Sequence, residues 1–288
     1  MPNGILIIDK PAGWTSMDVC AKIRGILHEK RVGHAGTLDP MATGVLPVFV
    51  GAATKAVSFA ETGRKEYAAG LRLGLTTDTQ DTSGTVLETC PVAVDRAGVE
   101  AALIRFTGDL QQIPPMYSAV KINGQKLCDL ARKGREVERR PRPVTIYELE
   151  LTGQSGPADY TLRCVCSKGT YIRTLCHDIG EALGCGGAMS SLRRTMAAGF
   201  SADHCVTLED VQRDGASLLL PLDTFFAEYP VYTLPSAGEE RHCLCGNPLR
   251  ADGLPDGTYR VHGQDGTLLC LSAARGGVLT SIKNFFGA

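Results

Sequence analysis

Apolar and polar positions change rhythm several times along this chain, and each change marks an element. Residues 5–8 are an apolar run of the length of a short buried strand, closed by a turn at Lys10-Pro11-Ala12-Gly13. Val19, Ile23, Ile26 and Leu27 then recur at helical spacing and predict an amphipathic helix. Residues 45–50 and 67–73 read as strands, and Val99, Leu103 and Phe106 give a second helix. After residues 117–122, Asn123-Gly124 is a hairpin signal. Residues 144–151 and 160–166 fit two further strands, joined by a polar loop holding Gly153, Gly156 and Pro157, which makes them antiparallel neighbours. Ile172, Leu175, Ile179 and Leu183 continue as a helix whose first turn carries Tyr171 and Arg173.

No regular strand–helix–strand alternation runs through this pattern. The expectation is an α+β fold with a mixed, mainly antiparallel sheet flanked by helices. Pro230 and Pro235 interrupt the chain after the apolar stretch 218–226, so a boundary is placed there, dividing residues 1–229 from 230–288. Past it, turn signals separate short strands at 259–261, 268–271 and 278–282, the rhythm of a small β-barrel. No internal repeat, low-complexity segment or heptad is present.

Composition narrows the function classes. The 288 residues, 43% of them hydrophobic, suffice for one large core or two smaller ones, and the net charge of −1 carries no global signature of a nucleic-acid binder. Locally the balance differs. Between Lys121 and Arg142 stand eight basic residues (Lys121, Lys126, Arg132, Lys133, Arg135, Arg139, Arg140, Arg142) against three acidic ones (Asp129, Glu136, Glu138). Such a segment can neutralise phosphates, or it can be an ordinary solvated face. Residues 1–10 hold only a four-residue apolar run, so no signal peptide is expected, and no stretch nears the roughly 18 apolar residues of a membrane span. The eleven cysteines are an odd number without a secreted-domain framework, which fits thiols kept reduced in a cytosol. Cys164-Val165-Cys166 and Cys243-Leu244-Cys245 look metal-like, but C-x-C is not the C-x₂₋₄-C spacing of zinc sites. In an alternating strand it puts both sulfurs on one face, with Tyr160 and Leu162. His242 beside Cys243 and His177 beside Cys176 keep zinc as the alternative to buried cysteine. Gly51-Ala52-Ala53-Thr54-Lys55 lacks the second glycine of a phosphate-binding Walker loop.

The most constrained stretch is Gly33-His34-Ala35-Gly36-Thr37-Leu38-Asp39-Pro40-Met41-Ala42-Thr43-Gly44. Three glycines bracket one carboxylate, and Pro40 restricts Asp39 to extended backbone angles. On spacing alone an ordinary Asp-Pro turn is the better reading. The wider pattern decides. Residues 33–44 resemble the catalytic loop of the TruB family of tRNA pseudouridine synthases. Asp9-Lys10-Pro11-Ala12-Gly13-Trp14-Thr15-Ser16 resembles the family's opening motif, and Arg64-Lys65-Glu66-Tyr67 its tyrosine-bearing motif. Pro114-Pro115-Met116-Tyr117-Ser118-Ala119-Val120-Lys121, Ser167-Lys168-Gly169-Thr170-Tyr171-Ile172-Arg173-Thr174-Leu175 and Leu192-Arg193-Arg194-Thr195 follow in the family's order. Six ordered motifs over roughly residues 4 to 200 are far more specific than any one.

The resemblance implies the pseudouridine synthase fold, a PUA-like C-terminal module, and conversion of a tRNA T-loop uridine, the one after ribothymidine, to pseudouridine. It implies Asp39 as nucleophile, attacking C6 of the base or C1′ of the sugar, a choice the sequence leaves open. A buried aspartate would tend to stay protonated, so a cation is expected beside it, and the resemblance puts Arg173 there. Tyr67 is implied to stack on the target base near its C5 proton, Tyr171 and Leu192 to line the base pocket, and His34 to fill the space left by flipped nucleotides. Lys10 and Lys121 are implied substrate contacts. The implied partner is the tRNA T-arm, with no metal, organic cofactor, membrane or obligatory protein partner, for a monomer in the cytoplasm. Cys128, Ala188-Met189, Met196 and Gly199 depart from the family's usual residues beside the pocket. Two rival expectations are an RNA-folding chaperone independent of catalysis and an RNA-guided synthase of the same fold.

Overall fold

The computed structural model describes residues 1–286. In chain order the strands of the larger part are β1 (Gly4–Lys10), β2 (Val32–His34), β3 (Thr43–Val50), β4 (Lys65–Leu73), β5 (Leu75–Thr77), β6 (Val86–Thr89), β7 (Gly108–Gln112), β8 (Lys121–Ile122), β9 (Gln125–Lys126), β10 (Arg142–Gln154), β11 (Asp159–Cys166), β12 (Gly187–Ala197) and β13 (Phe200–Ser201). Its helices are α1 (Ser16–Leu27), α2 (Val57–Ala60), α3 (Arg96–Ile104), α4 (Leu127–Ala131), α5 (Ile172–Ala182), α6 (Leu208–Asp214) and α7 (Leu222–Phe225). Nine strands form one sheet in the order β1-β3-β12-β4-β11-β10-β7, with β2 added to β3 and β13 to β12. Every pairing is antiparallel except β3 with β12, where Thr43 and Gly44 lie beside Arg193 and Arg194. The expected α+β class and mixed, mainly antiparallel sheet are what the chain builds.

Alternation explains the centre of this sheet. Tyr67, Ala69, Leu71 and Leu73 of β4, with Tyr160, Leu162, Cys164 and Cys166 of β11, lie on one face in a single core. Both sulfurs of the 164/166 pair are therefore core atoms. On the opposite face Arg163 bridges Glu66 at 2.7 Å and Glu148 at 2.6 Å. Helix α1 starts at a capping box of Thr15 with Asp18 and buries Val19, Ile23 and Leu27 in the same core. Helix α5 contributes Ile172, Leu175 and Ile179.

Strand β12 was not legible from periodicity, because Arg194, a charged residue, occupies a fully buried position in it. Gly44 makes the β3–β12 junction possible. Its φ is +96°, and a Cβ there would stand 2.2 Å from the Arg194 carbonyl oxygen.

The C-terminal strands β14 (Val231–Thr233), β15 (Leu249–Arg250), β16 (Gly257–His262), β17 (Leu268–Arg275) and β18 (Val278–Asn284) form a curled five-stranded sheet, with helix α8 (Ala237–Leu244) between β14 and β15. Its order is β14-β16-β17-β18-β15, a half-barrel whose two outer strands do not pair. Helix α8 carries no apolar stripe and was not expected; Ser236 caps it by accepting from the Glu239 amide. Cys243 consequently faces Cys270 inside the half-barrel, Sγ to Sγ 3.7 Å, while Cys245 is exposed. Asp223 of α7 receives Arg260 at 2.7 Å and meets His262 at 2.8 Å, and Phe226 packs on Phe285 with ring centroids 5.4 Å apart. These contacts fix the half-barrel to the larger part.

Candidate active site

The opening segment pins both neighbours of Asp39. Ser16 Oγ receives the Leu38 amide at 2.9 Å and donates to the Leu38 carbonyl at 3.3 Å. The Gly13 amide donates to the Pro40 carbonyl at 2.8 Å, and the Ala42 amide closes the turn on the Asp39 carbonyl at 3.0 Å. Lys10 Nζ donates to the carbonyls of Pro11, Trp14 and Pro40 at 2.8, 2.6 and 3.2 Å. Only the Asp39 side chain is left to project.

It projects onto Arg173, in the first turn of α5. Arg173 Nε donates to Asp39 Oδ2 at 2.9 Å and Nη2 to Oδ1 at 3.2 Å, a two-pronged grip on the carboxylate plane. The remaining donors go to the Thr79 carbonyl at 3.0 Å and the Tyr117 carbonyl at 2.8 Å. The burial differs from the expectation. The Asp39 side chain is 35% exposed and Arg173 only 5%. The buried charge in need of partners is thus the guanidinium, which four hydrogen bonds satisfy, two of them to Asp39.

Sequence reasoning missed the loop between β5 and β6 that supports this arginine. Asp81 Oδ2 lies 3.8 Å from Arg173 Nε, and Asp81 Oδ1 accepts from Thr79 Oγ1, the Ser83 amide and Ser83 Oγ. Thr174 Oγ1 donates to Gln80 Oε1 at 2.7 Å, and Gln80 holds a φ of +62°. The Asp78-Thr79-Gln80-Asp81 run is turn-like in sequence, and only its carbonyl and carboxylate geometry shows its use. Gln112 was also missed: its side-chain amide donates to the Tyr171 carbonyl at 3.0 Å and accepts the Tyr171 amide at 2.8 Å, fixing the residue that caps α5.

Tyr67 lies behind this pair, buried, its phenol pushed up to about 12 by burial, with the Arg194 guanidinium beside it pulling the other way. Tyr171 is half-buried and feels both Asp39 and Arg173, while Leu192 is buried in the core wall with Tyr67. His34 stands at the end of β2 with Nδ1 buried and unpartnered, and burial first, then Arg194, lowers its pKa, which favours a neutral imidazole.

Two lysines expected to touch substrate separate. Lys121 is exposed on the β8–β9 hairpin. Lys10 is fully buried, its three donors spent on carbonyls, so it holds the Asp39 turn from beneath instead of facing solvent. In the basic segment seven of the eight cations are exposed. Arg139 is the half-buried one, donating to the Pro114 carbonyl at 3.2 Å and to Glu136 at 2.9 Å. Among the described residues no His, Cys, Asp and Glu side chains gather three together in a metal-binding arrangement, and no helix is long and apolar enough to cross a membrane.

A family model described as TruB family pseudouridylate synthase (N terminal domain) matches residues 24–172, and one described as tRNA pseudouridylate synthase B C-terminal domain matches residues 173–227. The tRNA pseudouridine synthase B of Alkaliphilus oremlandii (strain OhILAs) is 45% identical, over 91% of this chain and 88% of that protein. That of Stutzerimonas stutzeri (strain A1501) is 45% identical over 93% and 90%. Among solved structures, a chain of a Cbf5-Nop10-Gar1 complex superposes with a TM-score of 0.73 at 28% identity, covering 99% of this chain and 85% of that one. A chain of an H/ACA RNP bound to a substrate RNA containing 2′-deoxyuridine gives 0.72 at 25% identity, with the same coverage.

Proposed function

The chain belongs to the TruB family of pseudouridylate synthases and isomerises uridine to pseudouridine in tRNA, and from that premise we propose that Asp39 is the nucleophile and the T-loop uridine after ribothymidine its target. The observation that carries the reading is the two-pronged Arg173–Asp39 pair, a carboxylate held in plane yet open to a ligand.

The reaction breaks N1–C1′, turns the base, joins C1′ to C5, and moves one proton from C5 while N1 ends protonated. It is redox-neutral. Asp39 supplies the transient covalent bond, at C6 or C1′. Arg173 fixes the attacking oxygen's direction, which matters because displacement by an ångström can cost about 10²-fold in rate. Tyr67 and Tyr171 hold the extruded base, Leu192 backs it, and the neutral His34 ring fills the gap in the RNA stack. Lys10 acts on Asp39 through the Pro40 carbonyl. The exposed cations from Lys121 to Arg142, with the half-barrel of residues 230–288 as a second RNA-binding unit, hold phosphates. The enzyme works as a cytoplasmic monomer without a protein partner. Higher identity to proteins named tRNA pseudouridine synthase B, at 45%, than to the chains of a Cbf5-Nop10-Gar1 complex and an H/ACA RNP, at 28% and 25%, supports this over an RNA-guided form.

Mapping pseudouridine in an unmodified tRNA transcript after incubation tests the target. One new pseudouridine in the T loop is expected, lost when that uridine is replaced by cytidine. Modification elsewhere, or none, contradicts the assignment.

A further inference from the structure

Arg194 is the largest fully buried side chain of the described residues and makes no ion pair among them. Its Nε donates to the Val45 carbonyl at 2.7 Å and its Nη2 to the Gly36 carbonyl at 3.1 Å, so it braces the Asp39 loop at both ends. Nη1 is buried without a hydrogen bond among the described residues, and the Tyr67 phenol lies near enough to feel the guanidinium as both charge and donor. Lys65, also buried, lies near enough to feel Arg194 as a like charge, and its Nζ reaches only the Glu61 carbonyl. Two buried cations with no ion pair among the described residues are costly. Burial also denies Arg194 any contact with an RNA phosphate. The group opposite it is Tyr67: the two residues are paired across β4 and β12.

We infer that Arg194 is a positioning residue whose free Nη1 holds the oxygen of Tyr67 when that oxygen takes the C5 proton of the substrate. The inference rests on the reading of Tyr67 and Asp39 above. In this step the C5–H bond breaks and its electron pair becomes the C5=C6 double bond, while C6 releases the Asp39 oxygen with its bonding pair or, where Asp39 attacked C1′, gives its π pair to N1. Tyr67 first gives up its own proton toward N1 or solvent, and its oxygen then takes the C5 proton. Between the two transfers the oxygen carries partial negative charge, and the guanidinium beside it supplies the missing counter-charge. Bracing the loop and serving Tyr67 act on different steps, so a substrate without a C5 proton separates them.

The test compares Arg194→Lys and Arg194→Gln with wild type in single-turnover reactions on three tRNA transcripts, carrying uridine, 5-deuterouridine or 5-fluorouridine at the target. Fluorine at C5 leaves no proton to remove, so that substrate reports only the earlier steps. The Gln variant is expected to convert uridine about 10²-fold or more slowly, with a 5-deuterium isotope effect larger than the wild type's. Because glutamine also lacks the Nε and Nη2 donors that brace the loop, it should slow 5-fluorouridine consumption as well, but at least about tenfold less than it slows uridine conversion, and bind tRNA as wild type does. The Lys variant, which keeps the charge, should lie between. Equal slowing on uridine and 5-fluorouridine, or loss of the folded state in both variants, assigns Arg194 to loop support alone and overturns the inference. If wild type converts no uridine, or Asp39→Asn converts it as fast, the reading of the site itself has failed.

Discussion

Replacing Lys10 by Met separates two roles for this lysine with one substitution. The side-chain volume stays, and three donors vanish from the carbonyls of Pro11, Trp14 and Pro40. Hydrogen bonds from a charged donor contribute about 1.5–3 kcal/mol each, or about 4–9 kcal/mol together. Against this stands the burial of an ammonium. Lys10 is lowered from 10.5 to about 8, chiefly by desolvation and despite the nearby Asp39 carboxylate, which corresponds to at most about 3 kcal/mol. The net loss is roughly 1–6 kcal/mol, a fall in Tm of roughly 2–24 °C at the usual scaling for a chain of this size. Because Pro40 follows Asp39, the loosened turn should also slow single-turnover conversion about 10–100-fold. The salt dependence of tRNA binding should not change, since a residue inside the fold releases no counterions. Thermal unfolding and tRNA binding at several salt concentrations decide the matter. An unchanged Tm with a salt slope shallower by about 0.7–0.9 would show Lys10 on a phosphate and refute the buried role.

Other substitutions probe neighbouring links. Gly44→Ala should unfold the protein or lower its Tm by more than 10 °C beyond Gly13→Ala at about 2–4 °C per kcal/mol: both glycines have positive φ, +96° and +82°, but only the Gly44 Cβ meets backbone, at 2.2 Å. Arg139→Ala should leave the salt slope of tRNA binding intact, because its guanidinium serves Pro114 and Glu136, whereas Lys133→Ala or Arg140→Ala should flatten it by up to about 0.9. Gln112→Leu strips both bonds from the Tyr171 backbone and should slow conversion at least tenfold at about 1.4 kcal/mol per factor of ten, while Gln112→Glu, still able to accept the Tyr171 amide, should lose less.

What the sequence disclosed depended on how each residue acts. Elements whose side chains alternate or recur, such as β4, β11, α1 and α5, were legible because burial and periodicity are one fact seen twice. The pairing of Asp39 with Arg173 came from the ordered motifs, since no local pattern links residues so far apart. Thr79 and Gln112 could not be seen: one works through its carbonyl and the other by bonding another residue's backbone. Lys10, Arg139 and Arg194 were misleading in a consistent way, because a charge in sequence suggests solvent or phosphate, and each donates instead to carbonyls inside the fold. Helix α8, short and without an apolar stripe, gave only its Ser236 cap as a sign.

The central claim is that the Asp39 carboxylate forms the covalent bond to substrate. Single-turnover conversion of an unmodified tRNA transcript by wild type and Asp39→Asn, with tRNA affinity measured in parallel, addresses it directly. The account predicts one T-loop pseudouridine per tRNA from wild type and none from the variant, which binds tRNA as tightly. Conversion by Asp39→Asn within tenfold of wild type would contradict it.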